Sequence, residues 1–101
     1  MLELRPICEN CATALAPDAA NAMICSFECT FCSACVERLA NVCPNCGGGF
    51  TPRPVRPARN WRGGNFLSAY PASTVGRHLP VDLADHQRFA ATLRSIDPRE
   101  R

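Results

Sequence analysis

Lysine is absent from the 101-residue sequence, and large apolar side chains are few. All 11 basic residues are therefore arginine, whose guanidinium group suits paired contacts with phosphate or carboxylate. Leucine, valine, isoleucine, methionine and the aromatic residues together supply 25 side chains, of which 13 lie in residues 1–50. A module with so few large apolar side chains usually needs covalent or metal cross-links to fold. The length allows one small domain with an appendage, and it is too short for most enzyme folds.

The sequence also lacks targeting and catalytic signatures. It has no apolar run long enough for a signal peptide or a membrane span, so we expect a cytoplasmic protein without membrane contact. It has no glycine-rich phosphate loop after a strand, no Ser-His-Asp arrangement in a supporting context and no pair of acids placed for general acid–base catalysis. We therefore expect no catalytic residues and no enzymatic activity.

The strongest signal is a set of eight cysteines that form four closely spaced pairs. The pairs are Cys8-x2-Cys11, Cys25-x3-Cys29, Cys32-x2-Cys35 and Cys43-Pro-Asn-Cys46. In a reducing compartment, thiols spaced in this way favour metal binding over disulfides. Four thiolates complete a tetrahedral zinc site and leave no position for water or substrate, so eight cysteines predict two closed structural Zn²⁺ sites. Iron also suits four thiolates, and thiol redox chemistry is a further alternative.

The residues around the cysteines predict a small zinc-stapled α+β module over residues 1–50, here called the cysteine module. Residues 23–27 and 28–31 are typical of the two strands of a hairpin. Residues 33–40 predict a two-turn helix with Ser33 as its cap and one apolar face.

The cysteine order C-x2-C, C-x3-C, C-x2-C, C-P-x-C, with Cys29-Thr30-Phe31-Cys32 at its centre, resembles the RING zinc-finger family. Cys29 stands where RING domains often carry histidine. The resemblance implies a cross-brace, in which Cys8, Cys11, Cys32 and Cys35 hold one metal and Cys25, Cys29, Cys43 and Cys46 hold the other. The spacing also allows sequential filling, in which the first four cysteines hold one metal and the last four hold the other. We favour the cross-brace.

A second resemblance is more specific. The opening M-L-E-L-R-P-I-C, followed by this cysteine array, is similar to a family of short bacterial proteins of unknown function. A bacterial source argues against ubiquitin-ligase activity. RING ligases usually carry an aliphatic residue just before the second cysteine and a basic residue soon after the last, where this chain has Asn10 and Gly47. We therefore carry over the fold and the metal ligands and not the ligase activity.

Residues 51–80 form a predicted linker rich in arginine, proline and glycine. Residues 47–80 contain five arginines and no acid, whereas residues 1–46 contain two arginines and five acids. The prolines favour a polyproline II helix with three residues per turn, which would align four arginines beside Trp61. This arginine stripe consists of Arg53, Arg56, Arg59 and Arg62. It could bind single-stranded nucleic acid, fold back on the negatively charged zinc module, or remain a solvated linker.

Residues 81–97 predict a C-terminal helix that follows Pro80, begins with Asp82 as its cap and ends at Asp97-Pro98. A narrow stripe along it contains Leu83, His86, Phe89, Ala90, Leu93 and Ile96. Such a stripe packs on another surface, either the cysteine module or a second copy of the chain in a homodimer. We assign His86 to packing, because eight cysteines already satisfy two zinc ions.

These observations favour an adaptor that binds another protein through the zinc module and the C-terminal helix. The identity of that protein partner is not encoded in any motif. Nucleic-acid binding through the arginine stripe and Trp61 is the first alternative, and a thiol redox or metal-responsive protein is the second.

Overall fold

Three short strands form one antiparallel sheet in the order β2-β1-β3. The computed structural model describes residues 1–101, in which β1 covers Ala22–Ile24, β2 covers Thr30–Cys32 and β3 covers Thr51–Pro52. The hairpin between β1 and β2 confirms the prediction, and Met23 pairs with Phe31. Its strands are shorter than predicted, because residues 25–29 form the connecting turn.

The hairpin turn brings two cysteines to its base. The Glu28 amide donates to the Cys25 carbonyl at 2.9 Å, and the Cys25 amide donates to the Cys29 carbonyl at 3.2 Å. Glu28 has a φ of 64°, the left-handed conformation that lets the chain reverse within a few residues. The turn therefore positions Cys25 and Cys29 side by side.

Helix α1, Ser33–Arg38, follows β2 without a loop. The prediction that Ser33 caps this helix is wrong. Cys32 occupies the cap position in an extended conformation, and no side chain accepts a hydrogen bond there. Ser33 is already the first helical residue because the strand continues directly into the helix. Two successive residues in the left-handed conformation, Ala40 and Asn41, follow the end of α1.

Helix α2, Leu83–Leu93, is the C-terminal helix. The Asp82 carboxylate accepts from the amides of Ala84 and Asp85 at 3.1 and 3.2 Å, which confirms its predicted capping role. A short 3₁₀ turn, Pro98–Glu100, lies beyond it. Neither helix is long and apolar enough to cross a membrane.

The core consists in large part of cysteine. Six of the 12 residues in the buried apolar cluster are cysteines, and Phe31 and Phe50 pack edge to face with ring centroids 5.4 Å apart. The other members are Leu15, Ala22, Val36 and Leu39. Because half of this core can ligate metal, its cohesion depends on what the thiols bind.

Residues 77–101, here called the C-terminal segment, fold back over the cysteine module. The Leu79 amide donates to the Glu9 carbonyl at 2.8 Å, next to the first cysteine pair. At the other end, Arg101 Nη1 donates to the Asn41 carbonyl at 2.8 Å, near the last pair. The segment therefore spans the module from its first cysteine pair to its last.

Candidate metal centres

Four cysteine sulfurs converge where the first and third cysteine pairs meet. The Sγ atoms of Cys8, Cys11, Cys32 and Cys35 all lie within 4.8 Å of one another. Those of Cys11 and Cys32 are 3.8 Å apart, and two thiolates that share one tetrahedral zinc lie about 3.8 Å apart. This group, here called the first site, has the spacing that a metal requires.

Three further sulfurs form a second, separate group. The Sγ atoms of Cys25, Cys43 and Cys46 lie within 4.8 Å of one another. Cys29 is buried beside them but outside this grouping, and its Sγ lies 3.6 Å from Asn45 Nδ2. We call the three cysteines the second site, and the place of Cys29 in it stays a prediction.

The grouping is interleaved, as the RING resemblance implies. Cys8 and Cys11 lie with Cys32 and Cys35, not with Cys25 and Cys29, so sequential filling is wrong. The cause lies in the hairpin, which carries β2 back against the first cysteine pair. The Glu9 amide donates to the Thr30 carbonyl at 2.9 Å, and this contact aligns the two chain segments.

The chemistry of both groups suits a thiophilic metal. Their ligand atoms are sulfur alone, a donor set that zinc and iron accept. Burial raises the pKa of the Cys35 thiol to about 12, and burial together with the neighbouring thiols raises the pKa of Cys43 as well. At neutral pH these thiols keep their protons until a metal displaces them, so metal binding releases protons and strengthens as the pH rises.

Amide groups from the chain surround the sulfurs. Asn10 Nδ2 donates to Cys35 Sγ at 3.3 Å, and the amides of Asn45 and Gly48 donate to Cys43 and Cys46 Sγ, both at 3.4 Å. Such bonds orient thiolate ligands and spread their charge. These donors were not predicted from the sequence, although an asparagine inside each of two short cysteine loops is a signal for them.

The arginine stripe does not form as predicted. Arg53 is only 4% exposed, and its two terminal nitrogens donate to the carbonyls of Arg5 and Ala16 at 2.8 and 2.9 Å. Arg56 Nη2 donates to the Leu2 carbonyl at 2.6 Å. Of the alternatives for the stripe, Arg53 and Arg56 follow the fold-back on the cysteine module, because loop carbonyls accept from both guanidinium groups. The four side chains therefore do not line one free edge. Arg59, Arg62 and Trp61 remain exposed.

A buried carboxylate that the sequence analysis missed lies beside the first site. Glu9 Oε2 accepts from Arg5 Nη1 at 2.9 Å and from the Thr30 amide, and its Oε1 lies 3.8 Å from Arg77 Nε. Burial by itself would lower the pKa of Arg5, but attraction to Glu9 and Glu3 outweighs this effect and raises it. Glu9 therefore joins the N-terminal chain, β2 and the C-terminal segment at one point.

A groove of about 580 Å³ separates the cysteine module from the C-terminal segment. Its apolar lining includes Phe31, Pro44, Leu79, Val81 and Phe89. Its charged lining consists of three acids and two arginines, namely Glu9, Asp82, Asp85, Arg77 and Arg88. Cys29 also lines it, as does Asn45 from the loop between Cys43 and Cys46.

The C-terminal segment covers both positions at which the RING resemblance would place contacts of a ligase. The Val81 amide donates to Asn10 Oδ1 at 2.8 Å. At Gly47, a Cβ atom would lie 3.2 Å from Leu93 Cδ1. Both positions are therefore covered by the chain itself.

Comparison with known proteins agrees with the cysteine array. The family model described as "Protein of unknown function (DUF1272)" matches residues 1–56, which contain all eight cysteines. Uncharacterized protein R02474 of Rhizobium meliloti (strain 1021) is 56% identical over 76 residues, which make up 74% of this chain and 83% of the relative. No solved structure matches the chain. The resemblance to a family of unknown function is thereby confirmed.

Proposed function

We propose that this chain, which belongs to the DUF1272 family of proteins of unknown function, is a zinc-stabilised adaptor that binds another protein. The observation that carries the proposal is the convergence of four sulfurs at the first site, all within 4.8 Å of one another. Four thiolates saturate tetrahedral zinc, so the metal here is structural and cross-links the chain. A cytoplasmic location goes with this role, because thiols stay reduced there.

At the second site, Cys29 is the proposed fourth ligand. It is buried, it lies at the base of the hairpin beside Cys25, and its Sγ lies 3.6 Å from Nδ2 of Asn45, inside the last cysteine pair. Metal bound to Cys25, Cys43 and Cys46 would draw Cys29 in and close the site. Zinc is the proposed metal at both sites because closed four-thiolate sites are its usual structural form.

The first test is metal content and free-thiol count on untagged protein purified without oxygen. We expect two colourless zinc equivalents per chain and thiols that stay unreactive until a chelator is added. Cys29→Ser should lower the content to one equivalent or weaken the second site, whereas Ser33→Ala, a small change next to Cys32, should keep both. Coloured iron, one metal or none in the unmodified chain would overturn the structural zinc proposal and favour thiol redox chemistry.

The groove is the proposed place where a protein partner binds. Phe89 is 46% exposed at its rim, and Leu79 also offers apolar surface there. The charged lining has one more acid than base, and a zinc ion with four thiolates adds two negative charges at the floor. Charge complementarity therefore favours a partner segment that combines apolar side chains with arginine or lysine.

Photocrosslinking in the cell tests this assignment. A photoreactive phenylalanine analogue at Phe89 should capture one protein, and the same analogue at Val55, which is exposed away from the groove, should not. The purified partner should then bind the zinc-loaded chain, with at least tenfold weaker binding to Phe89→Asp and Asp85→Arg. Capture of a second copy of this chain would instead identify a homodimer, and equal capture at both positions would contradict the groove.

The nucleic-acid alternative retains one specific feature. Trp61 is 75% exposed and lies between Arg59 and Arg62, neither of which is used internally. Stacking of a base on Trp61 with phosphate contacts from the arginines is the chemistry this arrangement would provide. An electrophoretic shift of single-stranded RNA or DNA at low salt, lost in the variant Arg59→Ser/Trp61→Ala/Arg62→Ser, would support it. No shift would reject it.

A further inference from the structure

One side chain joins the first metal site to the C-terminal segment. Asn10 Nδ2 donates to Cys35 Sγ at 3.3 Å, and Asn10 Oδ1 accepts from the Val81 amide at 2.8 Å. The backbone carbonyl of Asn10 lies 3.1 Å from His78 Nε2. Asn10 thus contacts a metal ligand on one side and the wall of the groove on the other.

We propose that Asn10 couples metal occupancy of the first site to docking of the C-terminal segment at Val81, so that the groove wall next to Asn10 is held in place only when that site is loaded. The inference rests on the metal-binding part of the proposed function. It adds regulation, because loss of metal from one site changes the surface that a partner meets.

The physical basis is the strength and the geometry of the N–H···S bond. A metal-bound thiolate is fixed in position and carries negative charge, so it accepts a hydrogen bond far better than a free thiol does. This bond fixes the amide plane of Asn10 and points its oxygen at the Val81 amide. When the metal leaves, the side chain can rotate, and the Val81 amide loses its partner.

Near Asn10, docking of the C-terminal segment depends on few other contacts, and this makes that part of the segment sensitive to one bond. The far part is held separately, because His86 Nε2 and Arg101 Nη1 donate to the carbonyls of Val42 and Asn41. Helix α2 buries only His86 and Ala90 against the module. The backbone near Asn10 adds one bond, from the Leu79 amide to the Glu9 carbonyl. No apolar side chain of the C-terminal segment belongs to the buried apolar cluster. Of the residues in this segment, only Val81 packs against that cluster.

Coupling between two sites is reciprocal. If metal at the first site favours the docked segment, then the docked segment favours metal at that site by the same factor. A hydrogen bond to a charged group, lost without replacement, typically corresponds to about a tenfold change in an equilibrium. We therefore expect changes of about tenfold in both segment release and metal release.

The chain offers a matched control for a test at Asn10. Asn45 also donates from its Nδ2 to a cysteine sulfur, that of Cys29 at 3.6 Å, but its side chain makes no hydrogen bond to the C-terminal segment. Asn10→Leu and Asn45→Leu therefore each remove one N–H···S bond, and only the first removes the link to Val81.

The experiment compares the zinc-loaded full-length variants by trypsin cleavage after Arg77 and Arg88 and by the rate at which a chelator removes zinc. We expect Asn10→Leu to keep two zinc ions, to be cleaved about tenfold faster and to lose one of its two zinc ions about tenfold faster. Asn45→Leu should be cleaved at the unmodified rate. In ¹¹³Cd NMR spectra of the cadmium-loaded forms, each variant should show one shifted resonance. The shifted resonance should not be the same in Asn10→Leu and Asn45→Leu.

The outcomes separate the two proposals. If the unmodified chain holds no metal, the proposed function fails before the coupling is tested. If Asn10→Leu with two zinc ions is cleaved at the unmodified rate, or if both variants are cleaved equally faster, the coupling is wrong. Should Asn10→Leu not fold, Asn10→Asp replaces it. Its carboxylate cannot donate to Cys35 and is no longer held toward Val81, so we expect both faster zinc loss and faster cleavage. Cleavage of Asn10→Asp at the unmodified rate would contradict the coupling.

Discussion

The first 50 residues and the last 51 are held together by different interactions. The cysteine module has a buried centre in which cysteines make up half of the apolar cluster. Only three of the 20 buried residues, Arg53, His86 and Ala90, lie beyond residue 50. Two of these three are polar, and their side chains bond to backbone carbonyls of the cysteine module. The first region therefore depends on apolar burial and on cysteines that can hold metal, and the second depends on a few directed hydrogen bonds.

Because of this difference, the two regions should respond differently to a chelator and to single substitutions. A chelator acts on the first region and reaches the second only through their contacts. A substitution of one donor in the second region loosens that region and leaves the metal sites in place. The predictions that follow test this separation, beginning with the largest expected effect.

Removal of metal should unfold the cysteine module. Structural zinc contributes on the order of 10 kcal/mol to folding, which is comparable to the whole stability of a small domain, and this core has few apolar side chains to replace it. Addition of a strong chelator at neutral pH should collapse the amide chemical-shift dispersion of residues 1–50, and added Zn²⁺ should restore it. A chelated, metal-free chain that keeps native dispersion would show that the apolar core suffices.

Arg53→Met should produce the next largest effect. The substitution keeps an apolar stem but removes two hydrogen bonds. It leaves the Arg5 carbonyl without a donor, whereas the Ala16 carbonyl still accepts from the Ala19 amide at 2.9 Å. Each such loss costs about 1–3 kcal/mol, so we expect a loss of about 3 kcal/mol in the free energy of unfolding of the zinc-loaded chain.

Arg59→Met is the matched control for Arg53→Met, because Arg59 is exposed and makes no internal hydrogen bond. It should change stability by less than about 0.5 kcal/mol. Denaturant titration of both variants with zinc content measured alongside provides the comparison. Equal effects of the two substitutions would mean that Arg53 acts only as a surface charge.

Local patterns in the sequence were sufficient to predict much of the cysteine module. The four cysteine pairs, the hairpin around the second pair and the Asp82 cap all follow from spacing over a few residues, whereas the interleaving of the first site was implied by the RING resemblance. These features are predictable because ligand geometry, strand alternation and helix capping each act over short distances along the chain.

The groove and the role of Arg53 were not predictable in this way. Arg53 bonds to carbonyls 37 and 48 residues away in sequence, and a three-residue arginine spacing carries no information about them. The groove exists because residues 77–101 return to the first cysteine pair, a path that no local pattern specifies. Polar contacts between segments that are irregular and distant in sequence were therefore the features that the sequence did not predict.

The smallest expected effect is at His86, and it tests whether the second region can loosen alone. His86 is only 4% exposed, and its Nε2 donates to the Val42 carbonyl at 2.8 Å. His86→Leu removes this donor and should weaken docking of α2 by about 1–2 kcal/mol. Hydrogen exchange of the α2 amides should quicken about tenfold, with both zinc ions and the exchange rates of residues 1–40 unchanged. Gln87→Leu, on the exposed face of the same helix, controls for added apolar surface. If His86→Leu also quickens exchange in the hairpin, the two regions unfold as one unit and the contrast drawn here does not hold.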